Sequence, residues 1–277
     1  MIGGEIAPIG LVVALLGVVA GLAVVLERER RRLRRRLAAK RRALAEATCY
    51  AGSRIPTIPL AQLDPRFRAL REGLGPGEEA GVHLIGRGDA HVAGAPSDTE
   101  TWILSCLARD ARCIFEFGTG SGRTTWALAV NSPADARVTT LTLGPGTEDL
   151  ARQEPGDASE AIACAIGERV EADLFYVGTA VESKIEQRYG DSKAFDEKSF
   201  EGRCDLVFVD GSHARSWVAS DSRKALAMLR PGGLVLWHDL RDPRFPGTRG
   251  VVEVLTELLA ELPLVHISGT SLVAFRG

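Results

Sequence analysis

Two stretches of this chain place acids and imidazoles where an apolar run stops. Asp205-Leu-Val-Phe-Val-Asp210 passes into Gly211-Ser212-His213, and Leu234-Val-Leu-Trp-His-Asp239 ends in a histidine and an acid. Asp210 and Asp239 offer the oxygen ligands that Mg²⁺ takes, and His238 adds a nitrogen that suits Mn²⁺ better. The three are therefore candidate metal ligands. His213, three residues past Asp210, is a candidate general base, because an imidazole titrates near ~6.5 and can take a proton at working pH. Each residue also has an ordinary reading. Asp210 could bond the backbone of its own turn, His213 could cap the next helix, and His238 or Asp239 could pair with Arg241.

A third stretch binds rather than reacts. Cys113-Ile-Phe-Glu-Phe117 runs into Gly118-Thr-Gly120-Ser-Gly122 and then into residues with a helical apolar rhythm (Trp126, Leu128, Ala129, Val130). Strand, tight turn and helix start in that order let backbone approach a ligand, and the free N–H groups of the helix favour an anionic group. A dinucleotide fingerprint would need glycine at 123, where the chain has Arg123.

These stretches need elements that hold them at one edge. The two charged run-ends are separated by a helical segment with Trp217, Val218, Ala225, Leu226 and Leu229 on one face and by the turn Leu229-Arg-Pro-Gly-Gly233. Strand, helix and strand in that order imply a right-handed parallel crossover, so both ends lie on the same sheet edge as the glycine turn. Ser97-Asp-Thr-Glu100 spells a capping box that opens a helix. Val138-Thr-Thr-Leu-Thr-Leu143 reads as the second strand, Ala161 to Ile166 as a helix, and Leu174-Phe-Tyr-Val177 as a strand start. Residues 250 to 262 form an amphipathic helix, and the apolar runs around Ser268-Gly-Thr270 a closing antiparallel hairpin.

In this order the motifs resemble the class I S-adenosylmethionine-dependent methyltransferases. Glu116 and the glycine turn match motif I, while V-D-G-S-H, L-R-P-G-G and W-H-D resemble the small-molecule O-methyltransferase branch. The resemblance covers most of residues 97–277. It implies a Rossmann-like doubly wound α/β fold with a mostly parallel seven-stranded sheet and one antiparallel strand. It also implies an S-adenosylmethionine site made of Glu116, Gly118, Thr119, Gly120, Ser121 and Gly122, with Asp191 and Ser192 beside the adenine. At the end of the second strand the family places an acid for the ribose; here Thr142 stands near that position, a weaker partner than a carboxylate.

The other end of the chain is of a different kind. Residues 6 to 26 carry no charge and are long enough to cross a bilayer as a helix. Residues 27–42 then hold ten Lys or Arg against Glu27 and Glu29, on a chain whose net charge is -2. That cluster predicts a single-pass anchor with the following domain in the cytoplasm, and contact with anionic lipids. Its position against the span favours topology over nucleic-acid binding. Gly17-Val-Val-Ala-Gly21 and a partial Leu heptad allow a homodimer. Five scattered cysteines without a C-x-x-C pair fit a reducing compartment.

The sequence thus predicts an anchor over 1–26, a basic helical stalk over 27–50, a linker or loose cap over 51–96, and a catalytic domain over 97–277. The expected activity is O-methylation of a small-molecule or lipid-linked acceptor, assisted by Mg²⁺ or Mn²⁺ at Asp210, His238 and Asp239, with Asp210 and His213 catalytic. Two other readings stay open: a cephalosporin-hydroxylase-like enzyme on the same fold, and a non-catalytic membrane-tethered scaffold.

Overall fold

The computed structural model describes residues 26–30, 54–71, 73–87, 94–146, 153–167, 174–241 and 246–277. Its contacts divide the chain into residues 1–48 and 49–277. No helix among the described residues is long and apolar enough to cross a membrane. The expected span over residues 6 to 26 lies, except for Leu26, outside the described residues, as does most of the basic stalk.

The second unit is built on an eight-stranded sheet. In chain order the strands are β1 (Thr57–Ile58), β4 (Cys113–Phe117), β5 (Arg137–Thr142), β6 (Ile185–Tyr189), β7 (Cys204–Val209), β8 (Leu229–Trp237), β9 (Val265–Ile267) and β10 (Val273–Arg276); β2 (Ala69–Arg71) and β3 (Gly75–Pro76) form a separate hairpin. Across the sheet the order is β1-β9-β10-β8-β7-β4-β5-β6. All neighbours are parallel except β10, which runs antiparallel to both β8 and β9. The strand order reverses at β4, with β5 on one side and β7 on the other. Ligands of open α/β sheets bind at such a reversal, beyond the carboxyl ends of the strands.

One strand more than expected is present. Residues 57–58, in the stretch read as linker or cap, add β1 to the edge of β9. Leu174 to Val177 form turns rather than a strand, because Tyr176 plugs inward: its ring lies where a Cβ on Gly122 would reach, and its hydroxyl donates to Gln187 Oε1 at 2.7 Å.

Alternation along the central strands sorts the core into two layers. Ile114, Leu206, Phe208, Leu234 and Leu236 face α2 (Asp98–Ala108) and α3 (Arg123–Asn131), packing with Ile103, Leu104 and Leu128. Phe115, Phe117, Val207, Val209, Val235 and Trp237 face α5 (Arg215–Met228) and α6 (Arg249–Leu258), packing with Val218, Met228, Val251 and Leu255. Each such side chain contributes roughly 1.5–3 kcal/mol by leaving water, so three adjacent strands buried on both faces make a rigid platform. The α2 helix opens with the full capping box: Ser97 Oγ accepts from Glu100 N–H at 3.2 Å, and Glu100 Oε2 accepts from Ser97 N–H at 2.8 Å. The helix read over residues 161–166 is α4 (Ser159–Gly167); α1 is a single turn at Leu60–Leu63.

Candidate active site

The glycine turn leaves β4 in a path only glycine can follow. Gly118, at φ 93°, lies against the end of β7, and a Cβ on it would sit 2.0 Å from the carbonyl oxygen of Asp210. Gly122, at φ 75°, is the N-cap of α3 and offers no capping side chain. The first turn of α3 therefore keeps N–H groups for a ligand.

A cavity of about 900 Å³, counted to its open mouth, lies in front of this turn. Of the residues expected to hold the cofactor, Gly118, Thr119, Gly120, Ser121, Thr142 and Ser192 line it, and Asp210 closes one side. Glu116, Gly122 and Asp191 do not line it. Glu116 lies behind the wall, fully buried, where its carboxyl accepts from the hydroxyls of Thr125 and Thr140. Burial pushes its pKa up to about 8. Thr140 also meets Thr119 Oγ1 at 2.8 Å, so the turn's threonine is fixed from behind by a chain of side chains ending on that acid. Asp191 points away from the cavity: Oδ1 accepts from Trp217 Nε1 and from Lys193 N–H, each at 2.9 Å. It thereby sets the plane of Trp217, which lines the cavity together with Leu143, Ile162 and Asp221. Trp217 looked like a core residue in the sequence. Only the fold shows that its helix starts beside the pocket.

The second half of the site is ionic. At the ends of β7 and β8, His238 Nδ1 lies 2.8 Å from Asp210 Oδ1 and 3.0 Å from Asp239 Oδ2, and His213 Nε2 lies 2.8 Å from the same Asp239 oxygen. Arg241 Nε donates to Asp239 Oδ1 at 2.7 Å. All four residues expected to do chemistry are thus brought together. Asp239 holds its place in the left-handed region, at φ 62°, a conformation that costs a non-glycine residue of order 1 kcal/mol and clusters at functional sites.

Glu100, missed as a site residue, stands behind this group. Besides capping α2, its Oε2 lies 3.4 Å from His238 Nε2, while Oε1 accepts from Ser271 N–H at 2.7 Å and Ser271 Oγ at 2.8 Å. Its capping-box spelling was the only sequence signal, and it pointed to a local role.

The electrostatics follow from this crowding. Burial opposes charge on His238, but Asp210, Asp239 and Glu100 around it outweigh that and hold its pKa well above the ordinary value. Burial pushes Asp210 up to about 6 despite the pull of His238. Asp239 is held well below the carboxylate range, against its burial, by His238 and His213. The cluster thus sets one imidazole among three carboxylates, and a metal held there would compete with a proton for its Nδ1. Asp210, His238 and Asp239 offer ligand atoms within 4.8 Å of one another. His238 Nδ1 and Asp239 Oδ2 are buried without a well-directed hydrogen bond. One nitrogen and two carboxylate oxygens suit a divalent cation, so the donor set fits Mg²⁺ or Mn²⁺.

Residues 115–240 match the family model described as a methyltransferase domain. No curated protein matches the chain. Among solved structures, the chain is similar to the S-adenosylmethionine complex of the O-methyltransferase TomG from Streptomyces achromogenes, at 20% identity over 66% of this chain and 81% of that one, with a TM-score of 0.44. An O-methyltransferase from Bacillus cereus with bound S-adenosylhomocysteine is 21% identical over 67% and 84%, with a TM-score of 0.44. The S-adenosylhomocysteine-bound methyltransferase PaMTH1 of Podospora anserina is 18% identical over 66% and 79%, with a TM-score of 0.46. The matched stretch runs from within β4 to just past β8 and contains the glycine turn, Asp210, His213, His238 and Asp239: this part of the chain is similar to a methyltransferase domain.

Proposed function

We propose that the domain binds S-adenosylmethionine in the cavity and passes its methyl group to a hydroxyl of a small-molecule or lipid-linked acceptor. The observation that carries this reading is the contact of Gly118 with the Asp210 carbonyl, which sets the cofactor wall against Asp210, the member of the ionic cluster that lines the cavity. In that cavity the α3 N-terminus suits the cofactor carboxylate, the Thr142 hydroxyl the ribose, and the Trp217 ring the base. Methyl transfer from a sulfonium is an in-line displacement, so the protein must align the two partners and take the acceptor's proton. His213 is the group to take it, and Asp239, 2.8 Å from its Nε2, orients the ring and stabilises the charge that forms. Asp210, His238 and Asp239 would hold Mg²⁺ or Mn²⁺, which when bound lowers the pKa of a hydroxyl it coordinates. The uncharged residues 6 to 26 and the Arg cluster support a cytoplasmic domain anchored to the cell membrane.

The test is calorimetric titration of the full chain in detergent with S-adenosylhomocysteine, with and without Mg²⁺. Binding in the micromolar range is expected, with Thr142 sufficing for the ribose. No binding in either condition overturns the reading and leaves a membrane-tethered binding protein.

A further inference from the structure

The carboxyl that lines the cavity beside Ser192 and Trp217 is not Asp191 but Asp221, in the second turn of α5. Asp191 is taken up by Trp217 and by the backbone of its own turn. Asp221 is 1% exposed, and its Oδ2 lies 3.5 Å from where a Cβ on Gly211 would be. Its Oδ1 is buried without a well-directed hydrogen bond, the Ser192 side chain being the neighbour that bonds to this carboxyl. The surroundings are built rather than loose. Lys224, one turn on, donates its ammonium to the carbonyls of Ser192 and Lys193 at 2.7 and 3.1 Å, fastening the turn after β6 onto α5. A buried acceptor left unsatisfied costs roughly 1–3 kcal/mol, and a ligand that brings a donor to it recovers that cost. The same wall carries flat and apolar surface, Trp217, Ile162 and Leu143, which suits a heterocycle whose polar edge meets the acid.

Resting on the cofactor assignment above, we infer that Asp221 reads the base of the cofactor, accepting a hydrogen bond from the exocyclic amino group of the adenine. Asp191 then acts at one remove, by holding Trp217. Asp221 is a specificity residue and takes no part in the methyl transfer itself.

The test compares two ligands by calorimetry on the full chain: S-adenosylhomocysteine and its purine analogue lacking the 6-amino group. The wild-type chain is expected to prefer the amino ligand at least tenfold. Asp221→Asn keeps an acceptor oxygen of the same reach and keeps the preference; Asp221→Leu lowers affinity for the amino ligand and brings the ratio close to one. If Asp221→Leu does not fold, Asp221→Ser gives the same reading. A merely structural role would shift thermal stability in these variants and leave the ratio alone, which overturns the inference. So does a wild-type chain that binds both ligands equally. A wild-type chain that binds neither overturns the cofactor assignment and this inference with it.

Discussion

The two halves of the site are made from opposite materials. The cofactor wall is backbone and hydroxyls: glycines at positive φ, Thr119, Ser121 and Thr142 around open space. The half at the ends of β7 and β8 packs Asp210, His213, His238, Asp239 and Arg241, with Glu100 behind, into direct contact with little exposure except at Arg241. Binding a ligand of several functional groups needs shape and many modest hydrogen bonds. Moving a proton needs a few ionisable groups whose charges depend on one another. The contrast shows why one half can be read locally and the other cannot.

Three substitutions would break or sharpen that contrast. The largest effect is expected from Gly118→Ala, because its Cβ would fall 2.0 Å from the Asp210 carbonyl, where both halves meet. Loss of more than ~4 kcal/mol is expected, read as loss of the cooperative thermal transition and of S-adenosylhomocysteine binding together. A variant that folds and binds normally would separate the halves. Glu100→Ala should act on the ionic half, leaving His238 and the Ser271 and Ser97 N–H groups without their carboxylate. Removing one partner of a buried ion pair costs about 3–5 kcal/mol, measurable by urea denaturation, and ligand affinity of the folded fraction should stay within twofold of wild type.

The third effect is confined to a change of pH and belongs to Glu116, behind the neutral wall. Its pKa rises from the ordinary 4.5 to about 8 on folding, so between those values the native state binds more protons than the unfolded chain. Its contribution is therefore fully present below pH 4.5 and fades as pH rises through 8. Glu116→Gln should flatten the fall in stability between pH 5 and 8 by up to ~1.4 kcal/mol per pH unit, seen in urea denaturation across that range. Parallel curves for the two proteins would mean that Glu116 is ionised in the fold.

Much of the frame was legible because it is written in short-range patterns. The run from Cys113 to Trp126, the crossover from Asp205 to Asp239, the capping box at Ser97 and the closing hairpin all depend on residues a few positions apart, and the structure has each of them. The parts that were not legible depend on distance in sequence. Glu100 meets Ser271 across 171 residues and His238 across 138, and no local spelling records either meeting. Asp191 sits in a turn that looked like a ligand contact, yet the direction of its carboxylate was decided by Trp217, 26 residues later. Tyr176 looked like part of a strand because an apolar residue that plugs a gap and one that pairs in a sheet have the same hydropathy.

The two-residue strand β1 has a consequence for how separate copies of this chain behave. It lies at the outer edge of the sheet, tied to β9 by His266 N–H donating to Pro56 C=O at 2.8 Å and Ser268 N–H donating to Ile58 C=O at 2.9 Å, with Thr57 Oγ1 3.0 Å from His266 Nδ1. It is bracketed by Pro56 and Pro59, and neither proline has an N–H to offer a further strand. An edge of this kind is too short and too poor in donors to recruit a strand from a neighbouring molecule, so this side of the sheet resists the edge-to-edge stacking that leads to aggregates when many copies are held close together.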